Sequence, residues 1–462
     1  MKAENIRQQF KHGQLDAGDI AKLFAHGEIT PLAFTEACLA AAQQTRGIFI
    51  TLTPERARQE ASEATLRWQQ GIPRSDLDGL PVVWKDLFDV ANTPTTAGSA
   101  TREDIAPAKA DAALVYSLTQ AGLITLGKTN LSEFAFSGVG INPAFGTAVL
   151  SSRHGTEHVP GGSSSGSARA VAEGLACYAF GTDTAGSVRI PAAFNGIIGY
   201  RASRLRYSDE GVFPLATSLD TLGPLCRSVR DAQALDKILC KAQETHFVKP
   251  DFIADTSLFD AAEGPVRENG YRCLEQLEAG GFRVDRRPVA AFHAALAWIA
   301  EHGWPGTVEA FQLHAALLAS AAAKKMDPFI RMRLTASAGI SPSVLAHFLR
   351  ERPAWQQAIS DELAGAVLIT PTVNHTAPLF SALNDPAEFT RINSATLRLT
   401  MPGSLLDMPG IALPGGTATN GLFTSLTLSL PRGEDCRLLM AARAAADVLA
   451  QGNQTRADFS AR

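Results

Sequence analysis

The stretch from Pro160 to Arg201, PGGSSSGSARAVAEGLACYAFGTDTAGSVRIPAAFNGIIGYR, constrains this chain more than any other. It carries two turns built from small residues. The first is Gly161-Gly162-Ser163-Ser164-Ser165-Gly166-Ser167, and the second is Gly181-Thr182-Asp183-Thr184-Ala185-Gly186-Ser187. A short apolar run, Ala168 to Phe180, interrupted by Gly174, joins them. Residues without bulk let backbone N–H groups converge on one point, which suits an anion or a developing oxyanion. Serines on such turns are candidate nucleophiles.

The flanking sequence alternates strand and helix patterns. Thr30 is placed to cap a helix whose first residue is Pro31. Ile48–Thr51 reads as a strand and Pro54–Gln70 as an amphipathic helix ended by Gly71. Gly79–Asp86 is an apolar strand that terminates at Lys85. Ala112–Ala121 then reads as a helix, and Leu123–Leu126 as a buried strand closing at Gly127-Lys128. The alternation predicts an α/β fold with helices on the faces of a sheet. Farther on, residues 229–365 carry alanine-rich helical patterns, Val367–Thr370 a strand, and Glu434–Leu449 a closing helix. Leu426, Leu428 and Leu430 alternate with polar residues, the period of a strand with one buried face. No repeat or low-complexity linker divides the chain, so one large domain is expected.

Charge and cysteines exclude several classes. The 42 basic residues are scattered and outnumbered by 46 acidic ones, which points away from nucleic acid or an anionic membrane as partner. The six cysteines form no CxxC and no metal-ligand spacing, so no metal is expected and a reducing compartment fits. A polar N-terminus without an apolar core and the lack of any long apolar window suggest a cytoplasmic protein.

Three chemistries compete for the two turns. Phosphate binding lacks a Gly-Lys-Ser/Thr or a GxGxxG with its ribose acid. A nucleophile elbow centred on Ser164 formally fits Gly162-Ser163-Ser164-Ser165-Gly166, but residues 151–160 before it cannot be a buried strand. An S-x-x-K motif ending at Lys85 fails because Val82 stands where serine is needed. The third reading joins both turns to Lys85. A serine hydroxyl needs a base, and a neutral lysine can serve when burial lowers its pKa.

At these residues the chain resembles the amidase signature family of Ser-cisSer-Lys hydrolases. The resemblance rests on Pro81–Asp86, Gly127–Phe134, Pro160–Gly199, Asp220–Pro224 and the final helix. It implies that Ser187 is the nucleophile, Ser163 the relay joined to Gly162 by a cis peptide bond, and Lys85 the base and then the acid. It implies an oxyanion hole from the N–H groups of Thr184, Ala185, Gly186 and Ser187. Departures occur: Ser165 replaces a glycine, and Gly199-Tyr200-Arg201-Ala202-Ser203 replaces a Gly-Leu-Lys-Pro-Thr. The implied fold is a single α/β domain, a mixed twisted sheet covered on both faces by helices and spanning residues 1–462. Residues 60–235 would hold the catalytic motifs and 236–365 a helical substrate-side region.

Around the triad, Asp183 and Arg189 read as an ion pair shaping the turn, and Ser164, Ser165 and Ser167 as turn or cap hydroxyls. Lys128 and Glu133 match scaffold positions of the family. Ser137 and Gly138, in the segment 137–142, are expected to line the acyl pocket. His154 and His158 read as surface or pocket-rim histidines. Phe292, Trp298, Trp304, Phe311 and Phe348 are candidate substrate contacts, although aromatics at such spacings are more often core. The expected activity is hydrolysis of a small-molecule amide to an acid plus ammonia or amine, without a cofactor. The alternatives are the A-type catalytic subunit of a tRNA-dependent amidotransferase and a hydrolase of urea or carbamate derivatives. The resemblance also suggests a homodimer.

Overall fold

The computed structural model describes residues 1–240 and 248–460. The described residues contribute thirteen strands: β1 (Phe49–Leu52), β2 (Pro81–Lys85), β3 (Ile124–Thr129), β4 (Leu150–Ser151), β5 (Glu157–His158), β6 (Tyr178–Thr182), β7 (Ile198–Arg201), β8 (Leu222–Cys226), β9 (Phe252–Ala254), β10 (Val284–Arg286), β11 (Val367–Pro371), β12 (Gly410–Thr417) and β13 (Phe423–Ser429). Eleven form one sheet in the order β1-β3-β2-β6-β8-β7-β12-β13-β11-β9-β10, and β4 and β5 form a separate pair. The sheet is mixed: β2 runs parallel to β3 and β6, whereas β8, β7, β12, β13 and β11 pair antiparallel in turn.

Helices cover both faces, and the strands record this with period two. Val367 and Ile369 of β11 belong to one apolar cluster and Leu368 to another, and Phe252 and Ala254 are separated from Ile253 in the same way. Strands buried on both faces read as continuous apolar runs, which explains the fully buried Pro-Val-Val-Trp-Lys of β2. Trp84 stacks on Phe180 across the β2–β6 pair at 5.3 Å. At the N-terminal side, Thr30 caps the helix Pro31–Ala42 by accepting the Ala33 N–H at 3.1 Å.

Two sequence expectations need correction. The alternation along β13 predicts one buried face, yet every residue from Thr424 to Ser429 is buried. Its polar side chains bond inward instead of facing water: Thr427 Oγ1 donates to Thr372 Oγ1 at 2.8 Å, and Ser425 Oγ donates to Leu413 O at 2.8 Å. The stretch 236–365 is not helical throughout. The strands β9 and β10, with the helix Gly264–Ala279, extend the far edge of the sheet, and residues 241–247 lie outside the described part. Among the described residues of that stretch, Trp304, Gly306, Thr307 and Arg333 line the cavity at the site.

Candidate active site

The site forms where β2 and β6 end side by side. Trp84 pairs with Phe180 in this parallel register, so Lys85 and Thr182 emerge together at the C-terminal ends of their strands. In α/β sheets such ends are the usual place for ligands. Lys85 is wholly buried. Its Nζ is hydrogen-bonded to Ser163 Oγ at 2.7 Å and to Thr182 Oγ1 at 2.7 Å. Burial pushes the ammonium down to about 7, against the opposing pull of the Asp220 and Asp183 carboxylates. A lysine poised there is neutral in a large fraction of molecules at pH 7.

Ser163 is fixed by its own backbone. Its carbonyl accepts the N–H of Ser132 at 3.2 Å and of Ser165 at 2.9 Å, and the Gly162 N–H donates to Gly138 O at 2.8 Å. The Gly162–Ser163 peptide bond is cis. Gly162 is glycine because the chain passes too close for a side chain: a Cβ there would lie 2.6 Å from Gly140 N and 2.8 Å from Gly140 Cα. Ser164 stands at the start of the helix Ser165–Ala172 but makes no side-chain cap. Its hydroxyl turns to Thr182 O at 3.4 Å. Ser167 Oγ shares a hydrogen bond with Thr129 Oγ1 at 2.7 Å and reaches Phe180 O at 3.1 Å.

The second turn is organised by the buried Asp183. Burial alone would raise its pKa, but the guanidinium groups of Arg189 and Arg201 and the Val188 N–H hold it well below the usual carboxylate range. Arg189 approaches it at 3.0 Å through both Nε and Nη2, and Arg201 at 3.3 Å. The Gly186 N–H also donates to Asp183 Oδ1, at 2.8 Å. The sequence expectation of Gly186 as an oxyanion donor thus meets a contact it did not include, because this N–H already has a carboxylate partner. The N–H groups of Thr184, Ala185 and Ser187 make no hydrogen bond to other described residues. Gly186 takes φ +127°, and a Cβ on it would meet Thr400 Oγ1 at 2.2 Å.

Ser187 sits on this turn at the floor of a cavity of about 70 Å³. Its carbonyl accepts the Ser164 N–H at 3.2 Å, which ties the second turn to the first. Its hydroxyl makes no hydrogen bond to another described residue. The cavity is further lined by Ala135, Phe136, Ser137, Thr184, Ala185, Leu215, Trp304, Arg333, Leu397 and Met401. Ser137 Oγ and the Gly138 N–H both donate to Asn393 Oδ1, at 3.0 and 2.8 Å, and Gly138 does not itself line the cavity. Of the five candidate aromatics only Trp304 lines it. His154 and His158 line a different cavity with His375, where His158 bonds Ala377 O and Thr156 Oγ1. Among the described residues no group of histidine, cysteine and carboxylate side chains could hold a metal.

Lys128 and Glu133 lie beside the site. Lys128 Nζ is 2.6 Å from Asp86 Oδ1 and donates to Pro94 O and Thr95 Oγ1. Glu133 accepts from Ser99 Oγ at 2.5 Å and from the Asp327 N–H at 2.7 Å, and burial pushes it up to about 7.

Several residues of the site are given no role by the sequence. Thr182 bonds Lys85. Thr400 Oγ1 donates to Ala185 O at 2.5 Å, and Asn393 anchors the 137–138 segment. Asp220 accepts the Thr184 hydroxyl at 2.6 Å, and burial pushes its carboxyl up to about 6. A search by spacing from Ser187 could have reached Thr182 and Asp220. Asn393, in the helix Pro386–Leu397, and Thr400, at the N-cap of the helix Met401–Leu405, lie over two hundred residues away.

A family model described as Amidase matches residues 33–439. The chain is 30% identical over 458 residues to 2-amino-5-chloromuconic acid deaminase of Comamonas testosteroni, covering 92% of this chain and 94% of that protein. It is 42% identical over 289 residues to the A-type subunit of the glutamyl-tRNA(Gln) amidotransferase of Anaeromyxobacter dehalogenans, covering 61% of this chain but only 55% of that protein. A crystal structure of an amidase superposes with a TM-score of 0.82 at 32% identity, covering 93% of this chain and 99% of the other.

Proposed function

This chain belongs to the amidase family, hydrolases of amide C–N bonds, and on that premise we propose that it cleaves a small-molecule carboxylic amide through an acyl-enzyme on Ser187. Neutral Lys85 draws a proton from Ser187 through the Ser163 hydroxyl. Ser187 Oγ attacks the amide carbonyl carbon, and the N–H groups of Thr184, Ala185 and Ser187 receive the oxyanion. The relay returns the proton to the leaving nitrogen, the C–N bond breaks, and water hydrolyses the ester to the acid. No step calls for a metal or an organic cofactor. The observation that carries this reading is the buried Lys85 hydrogen-bonded to Ser163, with its ammonium pushed down to about 7. Six free cysteines fit a reducing, cytoplasmic setting, and no helix among the described residues is long and apolar enough to cross a membrane.

The test is ammonia release over a panel of amides by the full chain and by Ser187→Ala. The variant should lose turnover, and retained turnover overturns the nucleophile assignment. Ammonia release also captures the deamination for which the Comamonas relative is named. A second reading, the catalytic subunit of an amidotransferase, draws on the 42% identity to the Anaeromyxobacter protein. It predicts stable copurification with an ATP-dependent partner, and a chain that turns over amides alone contradicts it.

A further inference from the structure

The cavity above Ser187 has one charged residue in its lining, and no described residue neutralises it. Arg333 lies on the helix Pro328–Ala336. Its guanidinium stacks over the Phe136 ring at 4.8 Å and Nη1 donates to Phe136 O. These contacts hold the group at the wall and use one of its five N–H donors. Among the described residues Arg333 makes no ion pair, whereas Arg189, Arg201, Arg206 and Arg230 each have an aspartate partner. No carboxylate among the described residues lines the cavity, whose remaining wall is mostly apolar. Burial pushes the Arg333 guanidinium down to about 10, with no acidic group opposing that shift, so it stays charged at pH 7.

An arginine with spare donors in a partly desolvated, apolar cleft costs free energy unless an anion arrives with the substrate. A planar guanidinium anchored on a ring presents its remaining donors as a fork that matches a carboxylate. We propose that Arg333 binds a carboxylate on the substrate, so that the amide hydrolysed at Ser187 is an anionic one. This inference rests on the hydrolase reading for Ser187 and adds the charge of its substrate. The carboxylate can sit on the acyl side, as in the monoamide of a dicarboxylic acid, or on the amine side, as in an N-acyl amino acid.

The experiment compares kcat/KM of the full chain for succinamate, N-acetylglycine and the neutral amide butyramide, in which a methyl group stands in place of the succinamate carboxylate. At least one anionic amide should exceed butyramide roughly 10- to 100-fold, the range of a hydrogen-bonded charge pair. Succinamate or N-acetylglycine as the better substrate then tells on which side the carboxylate lies. In Arg333→Met the ratio of anionic to neutral kcat/KM should fall by about tenfold or more, and Arg333→Lys should recover part of it. A butyramide value equal to or above both anionic amides overturns the inference, as does an unchanged ratio in Arg333→Met. A purely structural role for Arg333 would lower all three substrates alike. If the chain turns over none of them, calorimetry with succinate decides: binding to the native chain and loss in Arg333→Met supports the anion site, and no binding overturns it. Failure of the hydrolase reading appears separately, as no turnover of any amide and no labelling of Ser187.

Discussion

Lys85 Nζ stands 2.7 Å from Ser163 Oγ and 2.7 Å from Thr182 Oγ1, with no exposed surface of its own. Two hydroxyls, one from the first turn and one from a neighbouring strand end, therefore fix where the amine points. Thr182 Oγ1 accepts from Lys85 and makes no hydrogen bond to Ser187, so its effect is on the position of Lys85. Thr182→Val keeps the shape and removes that partner. At about 1 kcal/mol for one hydrogen bond, kcat/KM should fall roughly fivefold. Steady-state kinetics on the best amide checks this, and an unchanged value would mean that Ser163 alone orients the lysine.

The pH dependence follows from the same burial. Lys85 acts as a base only when neutral, so kcat/KM should rise with pH through an apparent pKa near 7 and be lost as pH falls below it. The stability linkage has a definite sign. The folded-state pKa lies below the unfolded value of 10.5, so between these values the unfolded chain binds more protons and wild-type stability rises with pH. The cost of burying Lys85 is thus largest below pH 7. Lys85→Met should abolish turnover while gaining stability relative to wild type, and the gain should be larger at pH 6 than at pH 9. Denaturant unfolding at the two pH values measures it.

Asp183 compensates two buried arginines at once. Asp183→Asn leaves Arg189 and Arg201 without their shared anion and weakens the bonds from Gly186 and Val188. Breaking a buried pair in this way typically costs about 3–5 kcal/mol. Urea unfolding should register a loss of that size, together with loss of activity because the Ser187 turn is no longer held.

These three cases also mark what a reader of the sequence can reach. Lys85, Ser163 and Ser187 are legible because each sits in a local pattern: an apolar strand ending in lysine, and two turns of small residues. The pairing of Asp183 with Arg189 is legible for the same reason, since both flank the nucleophile turn. Arg201 is visible in the sequence only as a departure after the motif, and its contact with Asp183 comes from the fold, which places β8 between β6 and β7. Thr400, Asn393 and Arg333 carry no local signal, because the sheet order rather than the spacing brings their helices over the turns. The Gly186 N–H illustrates the opposite case. A run of small residues suggests converging N–H donors, but a carboxylate three residues earlier claims one of them. In β13 the alternation of leucine with threonine and serine implies a wet face, and short hydroxyls that bond within the protein fill that face instead.

Gly162 tests the close approach of the two backbone segments. Gly162→Ala would drive a Cβ into Gly140, whose backbone atoms cannot rotate away. Overpacking of this kind costs about 1–3 kcal/mol, and the displacement falls on Ser163 directly. Thermal unfolding should register the lower stability, and kcat should fall by a larger factor than the stability loss alone explains at temperatures where the variant remains folded.

The most direct test of the account is covalent labelling with a fluorophosphonate followed by peptide mass spectrometry. The label should appear on Ser187 and on none of Ser163, Ser164, Ser165 or Ser167. It should vanish in Ser187→Ala, and in wild type its rate should fall as pH drops below 7. Labelling of a first-turn serine, or an intact chain that resists the reagent at pH 8, would contradict the assignment of Ser187 as the nucleophile served by Lys85.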